Sequence, residues 1–255
     1  EAGKSITTGD RNTAMGYLAL STMTTVADNT AVGYKAMTAN TSGSNNTAVG
    51  KDAMLANTTG ANNVAIGQNA LETSTSGGAN TAVGQLAAQD LTTGAENTAI
   101  GHEAGNNITT GTNNTLLGHE AGTDAVANVV ASNGNIVIGN NYSASAKIKI
   151  DWTVTSDLRD KTEIESVPHG LNFVNQITPI KYRFKTSREN DTPNGVTRYG
   201  FKAQEILALE GENPVLVDNG DTDNLKLTGA YLLPVLVNAI KELKARIEVL
   251  ENEWS

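Results

Sequence analysis

A short pattern of apolar and polar positions repeats along the first part of the chain. The motif Asn-Thr-Ala-(Val/Ile/Met)-Gly-x-x-Ala recurs with few changes every 17 residues, its asparagine at positions 12, 29, 46, 63, 80, 97 and 114. One more copy, Asn135–Gly139, follows after 21 residues. A strict period of this length predicts stacked coils, each needing its neighbours to bury its apolar side chains. The register reaches Glu1, so we expect further repeats before it in the natural chain.

Side chains alternate within each Thr-Ala-Val-Gly segment, as they do in a β-strand. One face is small and the other is large: Ala14, Ala31, Ala48, Ala65, Ala82 and Ala99 against Met15, Val32, Val49, Ile66, Val83 and Ile100. A solvated sheet face would instead be polar. We expect the small face to fill each coil and the large face to pack against neighbouring chains, with a trimer as the natural closed arrangement. Stretches rich in Asn, Thr and Gly, such as 57–60 and 91–94, supply the turns.

The asparagine that begins each repeat forms a column along the stacked coils. At strand spacing such a column predicts an amide ladder with a structural role.

The last segment has a different period. Leu236, Ile240, Leu243, Ile247, Leu250 and Trp254 are spaced by 4, 3, 4, 3 and 4 residues. This heptad seam predicts a coiled-coil helix over about 232–254, with Pro234 near its start, where proline is tolerated. The alternative is one amphipathic helix packed on its own domain. Such a short coiled coil is marginal alone, so the preceding domain has to assist its association.

Composition divides the chain near 145–156. Residues 1–155 hold 17 of the 45 charged residues, and the last 100 residues hold 28. We therefore predict a mainly β shaft of 17-residue repeats over 1–144, built as a trimeric β-roll or β-helix. A connector over 145–155 and a small α+β domain over 156–255 follow.

The absence of cysteine rules out disulfides. The net charge of −9 argues against nucleic-acid or acidic-lipid partners. No apolar run is long enough to cross a membrane, so we expect no membrane insertion.

The polar stretch Ser156-Asp157-Leu158-Arg159-Asp160-Lys161 opens the second domain. Taken alone, Ser156 and Asp157 could cap a helix while Asp160 and Lys161 remain solvated.

In context, this stretch is the first of four ordered motifs. The others are Ile177–Phe184, predicted to form a short strand pair, Gly200–Glu205 with the pattern Gly-Phe-x-Ala-Gln-Glu, and Tyr231–Leu243. Together they resemble the intramolecular chaperone auto-processing domain found at the end of phage endosialidase tailspikes, other tail fibres and a membrane-bound transcription factor of animals.

This resemblance implies a Ser–Lys dyad that cuts its own chain once, between Thr155 and Ser156. Ser156 is then the nucleophile and Lys161 the general base, because a serine hydroxyl needs a positioned base. Two roles are open for Arg159: a positive neighbour that favours the neutral form of the lysine, or a partner of Asp157 that holds the turn. In the family, cutting follows trimer assembly, and the released chaperone corresponds to residues 156–255.

The repeats resemble heads of trimeric autotransporter adhesins, which are left-handed parallel β-rolls, and repeat regions of phage tail fibres. His102 and His119 occupy identical Gly-His-Glu-Ala-Gly settings one repeat apart. Three chains could bring these histidines together around a metal or anion. The simpler interpretation is that they are exposed polar positions copied with their repeat, and we expect no metal or cofactor.

Three functions are considered. The favoured one is the end of a virion tail fibre, assembled as a homotrimer in the host cytoplasm, which supports attachment to a host glycan or protein receptor. A bacterial trimeric surface adhesin would require a C-terminal membrane anchor, and no such pattern is present. The chain could also be the non-catalytic tail of a glycan-degrading tailspike, because its acidic residues are too scattered for a glycosidase pair.

Overall fold

A computed structural model describes residues 1–123, 128–140, 143, 156–185, 188–220, 222–223 and 225–254. The chain divides into two compact units, Glu1–Ser143 and Ala144–Ser255. The predicted connector 145–155 lies outside the described residues.

The first unit is a β-solenoid whose strands form one parallel sheet in chain order. Among the residues described, its strands are β1 Thr13–Met15, β2 Thr30–Val32, β3 Thr47–Val49, β4 Val64–Ile66, β5 Thr81–Val83, β6 Thr98–Ile100, β7 Thr115–Leu117 and β8 Ile136–Ile138. Paired residues are 17 apart from β1 to β7, as in Thr13 with Thr30. The last pairing joins Thr115 to Ile136, where the register breaks. The predicted stacked coils are confirmed.

The two strand faces differ as the alternation predicted. The alanines of β2 to β6 are fully buried, and they pack with further small and medium apolar side chains such as Leu20, Met37 and Met54. The opposite face, which we call the outer column, consists of Met15, Val32, Val49, Ile66, Val83, Ile100, Leu117 and Ile138. Met15 and Ile138, at its two ends, are 64 % and 63 % exposed; Ile66, Ile100 and Leu117 are 38 % to 44 % exposed, and the three valines are half-buried. A single chain therefore leaves a row of apolar side chains in contact with water.

The asparagine column forms a buried ladder, but most rungs join a side chain to the backbone. Asn46 Nδ2 donates to the Gly60 carbonyl at 2.8 Å, and the Asn46 backbone N–H donates to Asn29 Oδ1 at 3.0 Å. Direct amide-to-amide bonds occur only near the end of the described column, as between Asn114 Nδ2 and Asn97 Oδ1 at 3.0 Å. The ladder thereby satisfies polar groups that the coils remove from water.

The second unit is a small α+β domain. Its elements are α1 Leu171–Val174, β9 Ile180–Lys185, β10 Pro193–Gly200, α2 Ala203–Glu210, β11 Val217–Asp218, β12 Lys226–Leu227 and α3 Leu232–Glu253. A small core joins Phe173, Ile206, Leu216, Val217, Leu232 and Val235.

One strand prediction for this unit was wrong. Ile177–Phe184 does not form a strand pair by itself; its second half belongs to β9, which pairs with the antiparallel β10. Pro179 cannot donate a ladder hydrogen bond, and β9 begins directly after it. In the Gly200–Glu205 motif, β10 ends at Gly200 and α2 begins at Ala203.

Helix α3 has 22 residues and matches the predicted range. It buries Leu232, Val235 and Ala239. The helix seam (Leu236, Ile240, Leu243, Ile247, Leu250 and Trp254) is between 41 % and 89 % exposed. Packing on its own domain therefore leaves the seam uncovered. Among the described residues, no helix is both long and apolar enough to span a membrane.

Candidate functional site

Ser156 and Lys161 meet across a tight turn. A single 3₁₀ turn, Leu158–Asp160, folds the chain back, and the Lys161 backbone N–H closes it on the Leu158 carbonyl at 3.2 Å. Lys161 Nζ then donates to Ser156 Oγ at 2.8 Å. The five-residue separation in sequence thus becomes a direct contact between a hydroxyl and an amine.

Asp157 and Arg159 hold this turn. Asp157 Oδ1 accepts the Arg159 backbone N–H at 2.9 Å, which makes Asp157 the cap of the 3₁₀ turn. The guanidinium also bridges the carboxylate, with Nε 3.0 Å from Oδ1 and Nη2 2.6 Å from Oδ2. Of the two roles open for Arg159, pairing with Asp157 is the one seen.

This pairing sets the charge states of both residues. Hydrogen bonds from the Arg159 side chain and backbone lower the pKa of the Asp157 carboxyl below its ordinary value. The same side-chain bond raises the pKa of Arg159. Both groups are thus held in their charged forms, and the positive charge of Arg159 is compensated locally.

All residues from Ser156 to Lys161 are exposed in a single chain. Thr155, whose carbonyl would be attacked, lies outside the described residues.

Two further polar side chains of the second unit, His169 and Glu205, make local contacts. His169 stacks on Phe173 with ring centroids 4.2 Å apart. Thr178 Oγ1 donates to Glu205 Oε1 at 3.1 Å, and within the described part of the chain the buried Glu205 Oε2 has no hydrogen-bond partner.

The two repeat histidines are neighbours on the solenoid surface. The rings of His102 and His119 stack with centroids 5.2 Å apart, and each histidine lies 3.5 Å from the glutamate that follows it. Within the described ranges, no group of three or more His, Cys, Asp or Glu side chains is arranged to hold a metal ion.

The comparison with protein families identifies this region. Residues 156–216 match the family described as chaperone of endosialidase. The chain carries an endosialidase-type chaperone domain. The match begins at Ser156 and ends before β11, β12 and α3 of the second unit. No curated protein and no solved structure matches the chain.

Sequence reasoning missed Asn238 and Glu242 of α3, whose side chains hydrogen-bond to backbone groups of residues 167–171. Both lie in the Tyr231–Leu243 motif, whose apolar heptad positions alone were used to predict the helix. Their spacing of four residues, which puts two polar side chains on one helix face, was the available signal.

Proposed function

We propose that this chain is the C-terminal part of a trimeric viral tail fibre or tailspike, whose chaperone domain drives assembly and then cuts itself off between Thr155 and Ser156. The contact of 2.8 Å between Lys161 Nζ and Ser156 Oγ supports this proposal most directly. An amine next to a hydroxyl, at the first residue of the family match, is the arrangement that a Ser–Lys dyad requires.

In the structure Lys161 donates a hydrogen bond to Ser156, whereas the reaction requires Ser156 to donate to Lys161. A neutral Lys161 amine accepts the Ser156 hydroxyl proton while Oγ attacks the Thr155 carbonyl carbon. When the C–N bond breaks, the Ser156 nitrogen takes that proton and an ester joins Thr155 to Oγ. Water then hydrolyses the ester, leaving a carboxylate on residues 1–155 and an amino terminus on residues 156–255.

Assembly supplies the condition for this step. A lysine acts as a base only in its neutral form, which burial favours. Because the turn is exposed in one chain, its burial has to come from the other chains. Cutting would then follow association, and the fibre would lose its chaperone only after it has folded.

Two exposed apolar surfaces support association between copies: the outer column of the solenoid and the helix seam. In the seam, Ile240 and Ile247 occupy a positions, Trp254 occupies the last a position, and leucine occupies the d positions. Isoleucine at a with leucine at d favours two strands in short parallel coiled coils. We therefore propose that the shaft and the rest of the chaperone domain determine how many chains associate, while the helix contributes contact between chains and fixes their register.

We assign the shaft to a virion tail fibre assembled in the host cytoplasm, where it supports attachment to a host surface receptor. The β-solenoid and its position before the chaperone domain support this role.

Intact mass spectrometry tests the self-cutting. The wild-type chain is expected to yield fragments 1–155 and 156–255, while Ser156→Ala stays whole. Lys161→Arg also stays whole, because a guanidinium keeps its proton. A wild-type chain that remains whole after its copies have associated would refute self-cleavage.

Native mass spectrometry tests the number of chains. The Ser156→Ala variant should show three chains, and a stable dimer would refute the trimer.

A further inference from the structure

Helix α3 holds the segment just after the Ser156–Lys161 turn. Asn238 Nδ2 donates to the His169 carbonyl at 2.9 Å and to the Val167 carbonyl at 3.4 Å. Glu242 Oε2 accepts the Leu171 backbone N–H at 2.9 Å. These contacts join residues about 70 positions apart, so they fix the path of segment 167–171 on the helix.

Gly170 shows how closely segment 167–171 approaches α3. Gly170 is buried, and a Cβ added there would overlap the Glu242 carboxylate. The absence of a side chain at this position therefore lets the backbone lie against Glu242.

The same helix carries this anchor and the helix seam on different faces. Asn238 and Glu242 are four residues apart and share one face, next to the buried Val235 and Ala239. Ile240 and Leu243 lie on another face and are exposed. A helix that associates through its seam would therefore carry segment 167–171 with it in a defined orientation.

The Ser156–Lys161 turn depends on this anchor for its location. Among the described residues, the hydrogen bonds and ion pairs of the turn join positions no more than five apart. Residues 162–166, all exposed, connect the turn to Val167. Six residues of extended chain reach at most about 20 Å, so the anchor confines the turn to the neighbourhood of α3.

We propose that Asn238 and Glu242 are positioning residues for self-cleavage, which place the Ser156–Lys161 turn at a defined site beside the helix seam when chains associate. This inference rests on the proposed function. In this proposal, the two polar side chains of α3 couple the association of the chains to the cutting step.

Substitutions in the full chain separate positioning from folding. Asn238→Asp replaces the donor that faces two carbonyl oxygens with an acceptor, and Glu242→Ala removes the acceptor for Leu171. Glu242→Gln keeps an oxygen for the Leu171 N–H and serves as the conservative rescue. Lys241→Ala, an exposed neighbour on the same helix, is the control. Cutting is followed by intact mass at intervals during cell-free synthesis.

Asn238→Asp and Glu242→Ala are expected to slow cutting by about tenfold or more, because small displacements of reacting groups are costly. Glu242→Gln and Lys241→Ala should cut within about threefold of wild type, because neither removes the acceptor for Leu171. Chain number and helical content, measured for each variant in the Ser156→Ala background, should remain unchanged.

Three results would overturn the inference: Asn238→Asp and Glu242→Ala cutting at the wild-type rate, Glu242→Gln as slow as Glu242→Ala, or slow cutting together with loss of association. A wild-type chain that never cuts would instead refute the proposed function itself.

Discussion

Asn63 bonds to Gly77 of the next coil: its Nδ2 donates to the glycine carbonyl at 2.8 Å. Its Oδ1 accepts the backbone N–H of Asn80 at 2.9 Å, so one side chain satisfies two buried groups of the following coil. Asn63→Leu removes both bonds from a buried site. We expect a loss of about 2–6 kcal/mol, since each of the two buried groups left unsatisfied costs about 1–3 kcal/mol.

The unfolding midpoint of the full chain in the Ser156→Ala background checks this expectation. Asn62→Gly is the matched control, because Asn62 is exposed with φ of 61° and glycine adopts that conformation readily. Equal midpoints for the two variants would show that the ladder is not a major source of stability.

Gly50 lies where two coils approach each other. Its φ is 139°, and an added Cβ would overlap the Gly67 carbonyl oxygen. Gly50→Ala should cost about 3 kcal/mol or more, from backbone strain and overlap together. Gly134→Ala, with φ of 70° and open space around its Cβ position, should cost only about 1 kcal/mol. Chemical denaturation of both variants measures the difference, and a similar loss in the two would exclude close approach as the reason for Gly50.

Ser74 interrupts a buried column between Asn57 and Leu91. Within the described residues, its Oγ is buried without a hydrogen-bond partner. Ser74→Ala should therefore leave stability unchanged or raise it by about 1 kcal/mol, because it removes an unsatisfied group. Ser76→Ala, at an exposed position, is the control. A loss above about 1 kcal/mol for Ser74→Ala alone would mean that the hydroxyl makes a stabilising bond, for example to a buried water.

The Asp157 carboxyl should titrate below the ordinary value of 3.8, because Arg159 stabilises its charged form. A carboxyl with a lowered folded-state pKa stabilises the fold above its unfolded value, and this contribution is lost as the pH falls through the lowered pKa. The pairing that holds the turn should thus persist throughout the neutral and mildly acidic range. Carboxyl NMR of Ser156→Ala measures the midpoint. Arg159→Gln should raise the titration midpoint of Asp157. An unchanged midpoint in this variant would contradict the pairing.

Parallel association of α3 makes a specific charge prediction. In the heptad register, Arg246 occupies a g position and Glu251 the e position of the following heptad, so they meet between neighbouring parallel helices. Arg246→Glu should weaken association, and the double exchange Arg246→Glu with Glu251→Arg should restore it. Sedimentation equilibrium in the Ser156→Ala background measures this. Failure of the double exchange to restore association would argue against a parallel seam.

Local periodicity accounts for the parts of the fold that the sequence predicted. The 17-residue spacing predicted the solenoid, and the alternation of Ala48 with Val49 predicted which side chain is buried. The heptad predicted α3 within one residue. These predictions succeed because strand and helix periods reside in consecutive residues.

By itself, then, the sequence determined the repeat, the two faces of each strand, the helix seam and the family of the chaperone domain. Only the tertiary structure decided which groups those elements meet. It paired the asparagine amides with glycine carbonyls, gave β9 its partner β10, bound Arg159 to Asp157 and brought Asn238 and Glu242 to segment 167–171. Partners separated by many residues leave no periodic trace in the chain, because packing and hydrogen-bond satisfaction select them only once the elements have folded together.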